Sequence, residues 1–258
     1  MSGSAGELAQ QEDLAPAGTF RTALLHTSDV ATAARFYRAV FGWEVQDTAS
    51  QWSFTLRGQR VAGLRHTTAD ENLWVPYVAV DDVAASAAAA VQAGGKIAST
   101  SIDPQDADRR SVIRDPEGAA IGLCSLKTDQ AATLTDGAGT IWWAEVLAQT
   151  PSVLQEFYAH LFRWHSTEQS LPPHPLYVVW KRGEKAVGGL LPIEDGWEVF
   201  PRWQVLFQVD DLQASTDRVN AAGGTVEFGP LDVPRAGLLT SVRDPRGALF
   251  VLVQPHRT

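Results

Sequence analysis

Two ionisable side chains lie on predicted β-strands, where they could transfer a proton. Because successive strand residues point to opposite faces, His26 shares a face with Leu24, and Glu145 shares the corresponding face with Trp143. His26 could act as a general base near neutral pH, and a partly buried Glu145 could have a raised pKa and act as an acid or a base. The structural alternatives are a His26 that ends its strand against a loop carbonyl and a Glu145 that is paired with an arginine.

Seven further residues could bind a ligand. Arg110 and Arg235 precede predicted hairpins and could anchor a carboxylate, although exposed loop arginines are more common, and Gln204 offers an amide oxygen on a strand. Four tryptophans on predicted strands could give a cleft a flat apolar lining or could pack in a core instead: Trp52, Trp74, Trp143 and Trp180.

The composition limits the class of partner. The formal net charge is −9 and the pI is near 5.1, and no run rich in lysine or arginine occurs, so nucleic acid is not expected to bind. The single cysteine, Cys124, excludes an internal disulfide and a cysteine-cluster metal site. Neither a signal peptide nor a membrane span is recognised, so we expect a cytoplasmic monomer or homodimer with a small-molecule ligand and no membrane partner.

These residues must be positioned by a repeated pattern of a strand, a helix and three further strands. A strand at 20–25 leads into a helix that Ser28 or Asp29 caps and Gly42 ends, and three short strands follow. The same order then recurs and closes with the tight hairpin Asp115-Pro116-Glu117-Gly118, in which proline and glycine favour the turn. One half of the chain therefore contains two such units.

The hairpin shows that the chain is duplicated. Asp115-Pro116-Glu117-Gly118 returns as Asp244-Pro245-Arg246-Gly247, at a separation of 244 − 115 = 129 residues, which is half of 258. Phe36-Tyr37 in the first predicted helix likewise returns as Phe157-Tyr158. The predicted organisation is a flexible tail at 1–18, a first domain at 19–127, a linker at 128–139 and a second domain at 140–256.

Four βαβββ units, with Phe-Tyr in the first helix of each half and a closing Asp-Pro-x-Gly hairpin, resemble the vicinal oxygen chelate superfamily. This superfamily includes glyoxalase I, bleomycin-resistance proteins and extradiol dioxygenases, and the sequence looks most similar to its tandem, two-domain glyoxalase-like proteins. The resemblance covers residues 20–126 and 140–254. It implies an α+β fold in which the four units form two domains with concave mixed sheets.

The resemblance also implies where a metal would be held. In the superfamily the ligands, when present, are His, Gln or Glu from the first and last strands of the units. In this sequence those positions fall at Thr22, Ala62, Val75, Gly122, Trp143, Gly188, Gln204 and Val251. Only Gln204 offers a customary donor and Thr22 a poor one, so we expect neither a metal nor a cofactor.

The leading functional prediction is metal-independent binding of a small apolar or aromatic metabolite in a sheet cleft, as in the sequestering and resistance-type members that the resemblance includes. The alternative is a metal-independent isomerase, lyase or cyclase of specialised metabolism that uses His26 or Glu145 as acid or base. A metal-dependent glyoxalase or dioxygenase is disfavoured by the missing donors.

Overall fold

The computed structural model describes residues 16–48, 51–68, 71–101, 110–125 and 131–256, and these ranges form two domains. The elements of the first domain are β1 (Phe20–Thr27), α1 (Val30–Phe41), β2 (Glu44–Thr48), β3 (Gln51–Leu56), β4 (Gln59–His66), β5 (Leu73–Val80), α2 (Val83–Gln92), β6 (Lys96–Ser101), β7 (Arg110–Arg114) and β8 (Ala120–Ser125). Those of the second domain are β9 (Ile141–Ala148), α3 (Pro151–Phe162), β10 (His165–Leu171), β11 (His174–Arg182), β12 (Lys185–Pro192), β13 (Arg202–Gln208), α4 (Leu212–Ala221), β14 (Thr225–Val233), β15 (Gly237–Arg243) and β16 (Leu249–Pro255). The predicted α+β class and the four βαβββ units are confirmed.

The two units of each half share one curled, mixed sheet. The strand order is β2-β3-β4-β1-β5-β8-β7-β6 in the first domain and β10-β11-β12-β9-β13-β16-β15-β14 in the second. The first strands of the two units, β1 and β5, run antiparallel at the centre, and each pairs in parallel with the last strand of its own unit. The second sheet repeats this arrangement around β9 and β13.

Helices α1, α2 and α4 begin at aspartates whose side chains satisfy the first free N–H groups. Asp29 accepts a hydrogen bond from the N–H of Thr32, and Asp82 and Asp211 cap α2 and α4 in the same way. α1 ends at Gly42, whose φ of 74° lies in the left-handed region that glycine adopts without strain. Among the described residues, no helix has the length and apolar character needed to cross a membrane.

The domains pack against each other through their convex faces and helices. On β1, Ala23 and Leu25 belong to a core that also contains Phe250 of the second domain, whereas Leu24 belongs to a cluster on the concave face. α1 contacts α4, and α2 contacts α3. The helices are therefore enclosed between the two sheets, and each concave face points away from the interface.

Two chains of hydrogen bonds cross this interface in opposite directions. The Tyr37 hydroxyl donates to Asp244 Oδ2 at 3.1 Å and accepts from Trp74 Nε1 at 2.8 Å. In the mirror arrangement, Tyr158 donates to Asp115 Oδ2 at 2.7 Å and accepts from Trp203 Nε1, also at 2.7 Å. All the residues in these two sets of hydrogen bonds are buried. The tyrosine of each Phe-Tyr pair thus binds the closing hairpin of the other half.

The same aspartates fold the hairpins. Asp115 Oδ1 accepts hydrogen bonds from the backbone N–H groups of Glu117 at 3.0 Å and Ala119 at 2.9 Å, and Gly118 takes a φ of 93°. Asp244 makes the equivalent bonds in the second hairpin. Each aspartate therefore closes its own turn with one oxygen and holds the other domain with the second, which explains why both copies retain the residue.

The segments outside the two sheets are only partly described. Residues 1–15 of the predicted tail and 126–130 at the start of the linker region lie outside the described residues. Within the predicted tail, Gly18 donates its N–H to Ala79 O at 2.8 Å and accepts from Trp164 Nε1 at 2.7 Å, so residues 16–18 are held by both domains. Within the predicted linker, the N–H of Ala132 donates to Arg21 O at 3.0 Å, which fixes this segment on the first domain.

Replacing Tyr158 with phenylalanine should destabilise the protein by about 1–3 kcal/mol, because Asp115 Oδ2 and Trp203 Nε1 would each lose a buried partner. Tyr37→Phe removes the reciprocal bonds and should have a similar effect. Urea denaturation of both variants measures the change. A loss below about 0.5 kcal/mol, typical of surface substitutions, would contradict the importance of these bonds.

Asp115 should make stability depend on pH. Burial raises the pKa of Asp115 from 3.8 to about 6, against the opposing effect of its hydrogen bonds from Tyr158 and the turn. A carboxyl group whose pKa is higher in the folded than in the unfolded protein stabilises the fold at pH values below the unfolded pKa. This contribution to stability is lost as the pH rises through the pKa of the folded protein. Asp115→Asn cannot ionise, so between pH 4 and pH 7 its unfolding free energy should gain up to about 3 kcal/mol relative to the native protein. Denaturation curves at both pH values that keep a constant difference would contradict this expectation.

Candidate functional site

The concave face of the second sheet encloses a cavity of about 710 Å³. Its floor is formed by Trp143, Glu145 and Leu147 on β9 and by Gln204 and Leu206 on β13. Ligand pockets for drug-sized molecules commonly measure about 300–1,000 Å³, so the volume suits a small organic ligand. Most of the remaining wall is apolar and includes Leu171, Val179, Leu191, Val199, Leu231, Val233, Leu239 and Val251.

A β-bulge brings two neighbouring tryptophans to this cavity. Trp143 pairs with Leu206 and Ile141 pairs with Phe207, so Trp142 is the extra residue on β9. Both tryptophans line the cavity, and their ring centroids lie 6.5 Å apart. The cavity therefore has a broad aromatic surface beside its polar centre.

Glu145 is held at the centre of the floor by two side chains. Its Oε2 accepts a hydrogen bond from the Tyr177 hydroxyl at 2.7 Å, and its Oε1 accepts one from Gln204 Nε2 at 2.7 Å. Trp143 Nε1 donates in turn to the Tyr177 oxygen at 2.9 Å. Because each oxygen of the carboxylate is oriented by a donor from a different strand, its position in the cavity wall is well defined.

Glycine allows this network to form. A side chain at Gly189 on β12 would collide with the Tyr177 hydroxyl and ring, which lie directly above it. Gly189 pairs with Glu145 in the sheet register, so the missing side chain leaves the space through which Tyr177 reaches the carboxylate. Any larger residue at Gly189 would displace the tyrosine.

Burial sets the electrostatics of Glu145. The side chain is 7% exposed, and burial raises its pKa above the ordinary value. The hydrogen bonds from Tyr177 and Gln204 and the nearby His174 act in the opposite direction, because they favour the ionised form. The result is a carboxyl group that takes up a proton more readily than a solvated glutamate does.

His174 and Trp197 cover one side of the same cavity. His174 Nδ1 lies 2.9 Å from Glu194 Oε1, and the ring centroids of His174 and Trp197 are 5.5 Å apart in an edge-on arrangement. Both residues line the cavity. They come from β11 and from the segment after β12, so the wall is assembled from residues that are distant in sequence.

The first domain presents different side chains at the equivalent places. Leu24 lies where the second domain has Glu145, and its side chain occupies the space above Gly63. The ring of Tyr77 lies directly over Gly122, where a Cβ atom would collide with it. Leu24 and Tyr77 pack in one apolar cluster with Val75, Val112 and Cys124. This part of the first concave face is filled by the protein's own side chains.

His26 lies on the concave face of the first domain and not in the cavity of the second. Its Nε2 is 3.2 Å from the Tyr77 hydroxyl, so its partner is a side chain and not the loop carbonyl of the structural alternative. Burial lowers the pKa of His26 to about 4, with smaller contributions from the positive charges of Arg65 and Arg110. The imidazole is therefore neutral at physiological pH.

Three of the four predicted ligand-binding tryptophans are placed elsewhere by the structure. Trp74 and Trp180 are buried in the cores between the domains. Trp74 Nε1 donates a hydrogen bond to the Tyr37 hydroxyl, and the ring centroids of Trp180 and Trp164 lie 5.2 Å apart. Trp52 is partly buried and packs against the same interdomain core as Trp74. The expectation that these three line a cleft is therefore corrected, because the convex faces are covered by the other domain and need large apolar residues too.

The remaining predicted residues divide between the two domains. Gln204 and Trp143 lie in the cavity floor, and Arg235 lines the cavity while it donates to Ser170 O at 3.3 Å. Arg110, at the start of β7, lies on the first domain, where its charge acts on His26 and Tyr77. The set predicted from sequence is thus not one site.

The side chains at the superfamily's metal positions do not fit a metal ion. Two of the eight predicted positions, Ala62 and Gly188, face the interdomain core. The residues that face the cleft there are Gly63 and Gly189, so the prediction was wrong by one residue at these two positions. The corrected positions still lack a donor. Near Gln204 the carboxylate of Glu145 is already bonded to two side chains, and the described residues contain no group of three His, Cys, Asp or Glu arranged around a metal.

The cavity wall also includes Tyr177 and Arg202, which the sequence prediction did not identify as binding residues. Tyr177 reaches Glu145 across 32 residues of sequence, a contact that depends on the register of three strands. The signal that could have indicated it is Gly188-Gly189 in a predicted strand, because glycine within a strand often marks a close approach. No comparable pattern marks Arg202.

Comparison with known proteins agrees with this architecture. A family model described as a glyoxalase-like domain matches residues 22–124. A protein of Mycobacterium tuberculosis that carries the name "Putative glyoxylase CFP32" is 35% identical over 243 residues, which cover 90% of this chain and 92% of the relative. The anthracycline biosynthesis protein DnrV of Streptomyces peucetius is 29% identical over 251 residues, which cover 89% and 90% of the two chains.

Solved structures share the fold at lower identity. The Mn(II)-bound glyoxalase from Novosphingobium aromaticivorans matches with a TM-score of 0.61 and 21% identity over 92% of this chain and 82% of the other. The 2,3-dioxygenase LapB from Pseudomonas sp. KL28 matches with a TM-score of 0.63 and 14% identity over 93% and 92%. With these matches and the full-length relatives, the chain belongs to the glyoxalase-like proteins of the vicinal oxygen chelate superfamily.

Proposed function

We propose that the cavity of the second domain binds a small aromatic molecule without the help of a metal ion. The observation that carries this proposal is the cavity itself, about 710 Å³ with tryptophans and aliphatic side chains around one buried carboxylate. Apolar walls with a few oriented polar groups are typical of small-molecule sites. Glu145 would accept a hydrogen bond from a hydroxyl group of the ligand, and the tryptophans would contact its rings.

The donor set supports the metal-independent form of the proposal. Gly122 lies under the Tyr77 ring, and Val251 lies where the second domain would need a glutamate. Gln204, the one customary donor at the expected positions, is directed at Glu145 by its hydrogen bond. The chemistry of this cavity is therefore derived from the chain's own side chains.

One relative supports an aromatic ligand. DnrV is named as an anthracycline biosynthesis protein, and anthracyclines contain a flat system of fused rings. A flat, fused-ring compound would match the broad surface that Trp142 and Trp143 present in the cavity. We therefore take a neutral three-ring compound, 2-(hydroxymethyl)anthraquinone, as the test ligand.

A second candidate function is proton transfer by Glu145, as in a metal-independent isomerase, lyase or cyclase. It is favoured by the raised pKa of this carboxyl group and by its place in the cavity wall. His26 does not share this cavity, and its lowered pKa and bond to Tyr77 make it a weak base within the first domain. Glu145 is therefore the residue on which the enzymatic alternative depends.

Titration with 2-(hydroxymethyl)anthraquinone should quench tryptophan fluorescence in a saturable manner, because the rings would lie beside Trp142 and Trp143. Leu239→Trp adds bulk to the cavity wall and should weaken binding at least about tenfold, since an overfilled site cannot accept the rings. Val153→Trp, on the exposed surface of α3, adds the same fluorophore outside the cavity and is the matched control. Equal affinities of the two variants would show that the compound binds elsewhere.

The role of Glu145 can be tested with 2-acetylanthraquinone in D₂O. If the protein only binds, mass spectrometry should detect no deuterium uptake at the methyl group beside the carbonyl above the rate in buffer. Glu145→Gln preserves the size of the side chain, and its amide oxygen can still accept a hydrogen bond, but the charge assistance is lost. The affinity of 2-(hydroxymethyl)anthraquinone should therefore fall by about three- to tenfold and remain measurable. Protein-dependent exchange that disappears in Glu145→Gln while binding persists would favour the proton-transfer function.

A further inference from the structure

Arg202 places a positive charge at one end of the cavity in the second domain. It is the first residue of β13 and pairs with Leu147, so it lies on the same strand face as Gln204 and lines the cavity. Residues two apart on a strand are separated by about 7 Å along the strand, so the backbones of Arg202 and Gln204 are separated by roughly the width of one substituted aromatic ring. Arg202 and Glu145 therefore line the same cavity at different places along its floor and wall.

The charge of Arg202 is not matched by a partner in the described part of the chain. Its Nε is buried and makes no hydrogen bond, and no ion pair joins its guanidinium to a carboxylate there. Glu227 is the acidic group that acts on it, but Glu227 Oε1 is bonded to Arg243 Nε at 2.8 Å. Arg202, Arg243 and Glu227 together carry one excess positive charge.

Other acidic side chains of the cavity do not complete this cluster. Glu145 is bonded to Tyr177 and Gln204, and Glu198 is exposed. Burial lowers the pKa of Arg202, and the neighbouring positive charge of Arg243 lowers it further, as expected when a cation lacks an adequate counter-ion. A partly buried guanidinium is costly unless an anion pairs with it.

We propose that Arg202 binds a carboxylate group of the ligand, so that the second domain takes an aromatic carboxylic acid. This inference rests on the proposed function and names the class of its ligand. The planar guanidinium can offer two parallel N–H donors to the two oxygens of a carboxylate, which neutralises the cluster and fixes the orientation of the rings against Trp142 and Trp143. Glu145 would then meet a hydroxyl group at the other end of the ligand.

The site is specific to the second domain. The duplication places Leu73 of β5 at the position of Arg202, since 202 − 73 = 129, and Leu73 packs in the apolar cluster of the first concave face. The first domain therefore lacks this charge at the equivalent position. The difference between the two clefts is one of ligand class as well as of shape.

The test compares anthraquinone-2-carboxylate with the neutral 2-(hydroxymethyl)anthraquinone by fluorescence titration at pH 7.5. The native protein should bind the carboxylate at least about tenfold more tightly, the effect of one charge-assisted contact. Arg202→Gln should remove this preference and leave the affinity of the neutral compound within about twofold. Arg235→Gln, which removes the other arginine of the cavity wall from an exposed position, should retain the preference and is the matched control.

The outcomes separate the inference from the proposed function. Equal affinities in the native protein would overturn the carboxylate ligand while leaving aromatic binding intact, and the absence of binding by both compounds would overturn both. A preference that survives in Arg202→Gln, or is lost equally in Arg235→Gln, would overturn the assignment to Arg202. If circular dichroism shows that Arg202→Gln does not fold, the same titrations are made with Arg202→Lys. A reduced preference for the carboxylate compound supports a two-point contact with Arg202, and an unchanged preference overturns that contact.

Discussion

Two hydrogen bonds between tyrosine and aspartate run across the domain interface in opposite directions, from Tyr37 to Asp244 and from Tyr158 to Asp115. Each aspartate also folds its own hairpin, so the turn, the interface and the buried tryptophan behind each tyrosine depend on the same carboxylates. These bonds join the convex faces of the two sheets together with the two apolar cores to which both domains contribute. Both concave faces are directed away from the interface, and the second one encloses the cavity.

The scaffold is duplicated, but the concave faces are not alike. Leu24 and Tyr77 fill the centre of the first, whereas Glu145 and Leu206 occupy the equivalent positions in the second. Such divergence is compatible with a common fold because alternate residues of a strand face opposite sides of the sheet. Residues on the concave side can change without altering the residues that join the domains.

The polar groups of the second concave face depend on each other. Glu145 is buried in an apolar cavity, which is unfavourable for a charge, and the donors Tyr177 and Gln204 offset part of that cost. Gly189 is required for Tyr177 to approach, and the sheet register brings all four residues together. Gln204, the one customary metal donor at the expected positions, is thereby part of a network of side-chain hydrogen bonds.

The sequence by itself determined the fold and part of the site. The repeat of 129 residues, the aspartate helix caps and the Asp-Pro-x-Gly turns are local signals, and they identified the duplicated βαβββ units correctly. Strand alternation placed Trp143 and Glu145 on one face, and Gly122 and Val251 lack metal donors in any conformation. Only the tertiary structure decided which tryptophans line a cavity, because both faces of the central strands are buried and largely apolar. One face packs against the other domain, and the other face lies in a cleft. It also decided that Tyr177 and Gln204 hold Glu145 and that Arg202 lies in the same cavity, since these contacts arise from the pairing of strands that are distant in the chain.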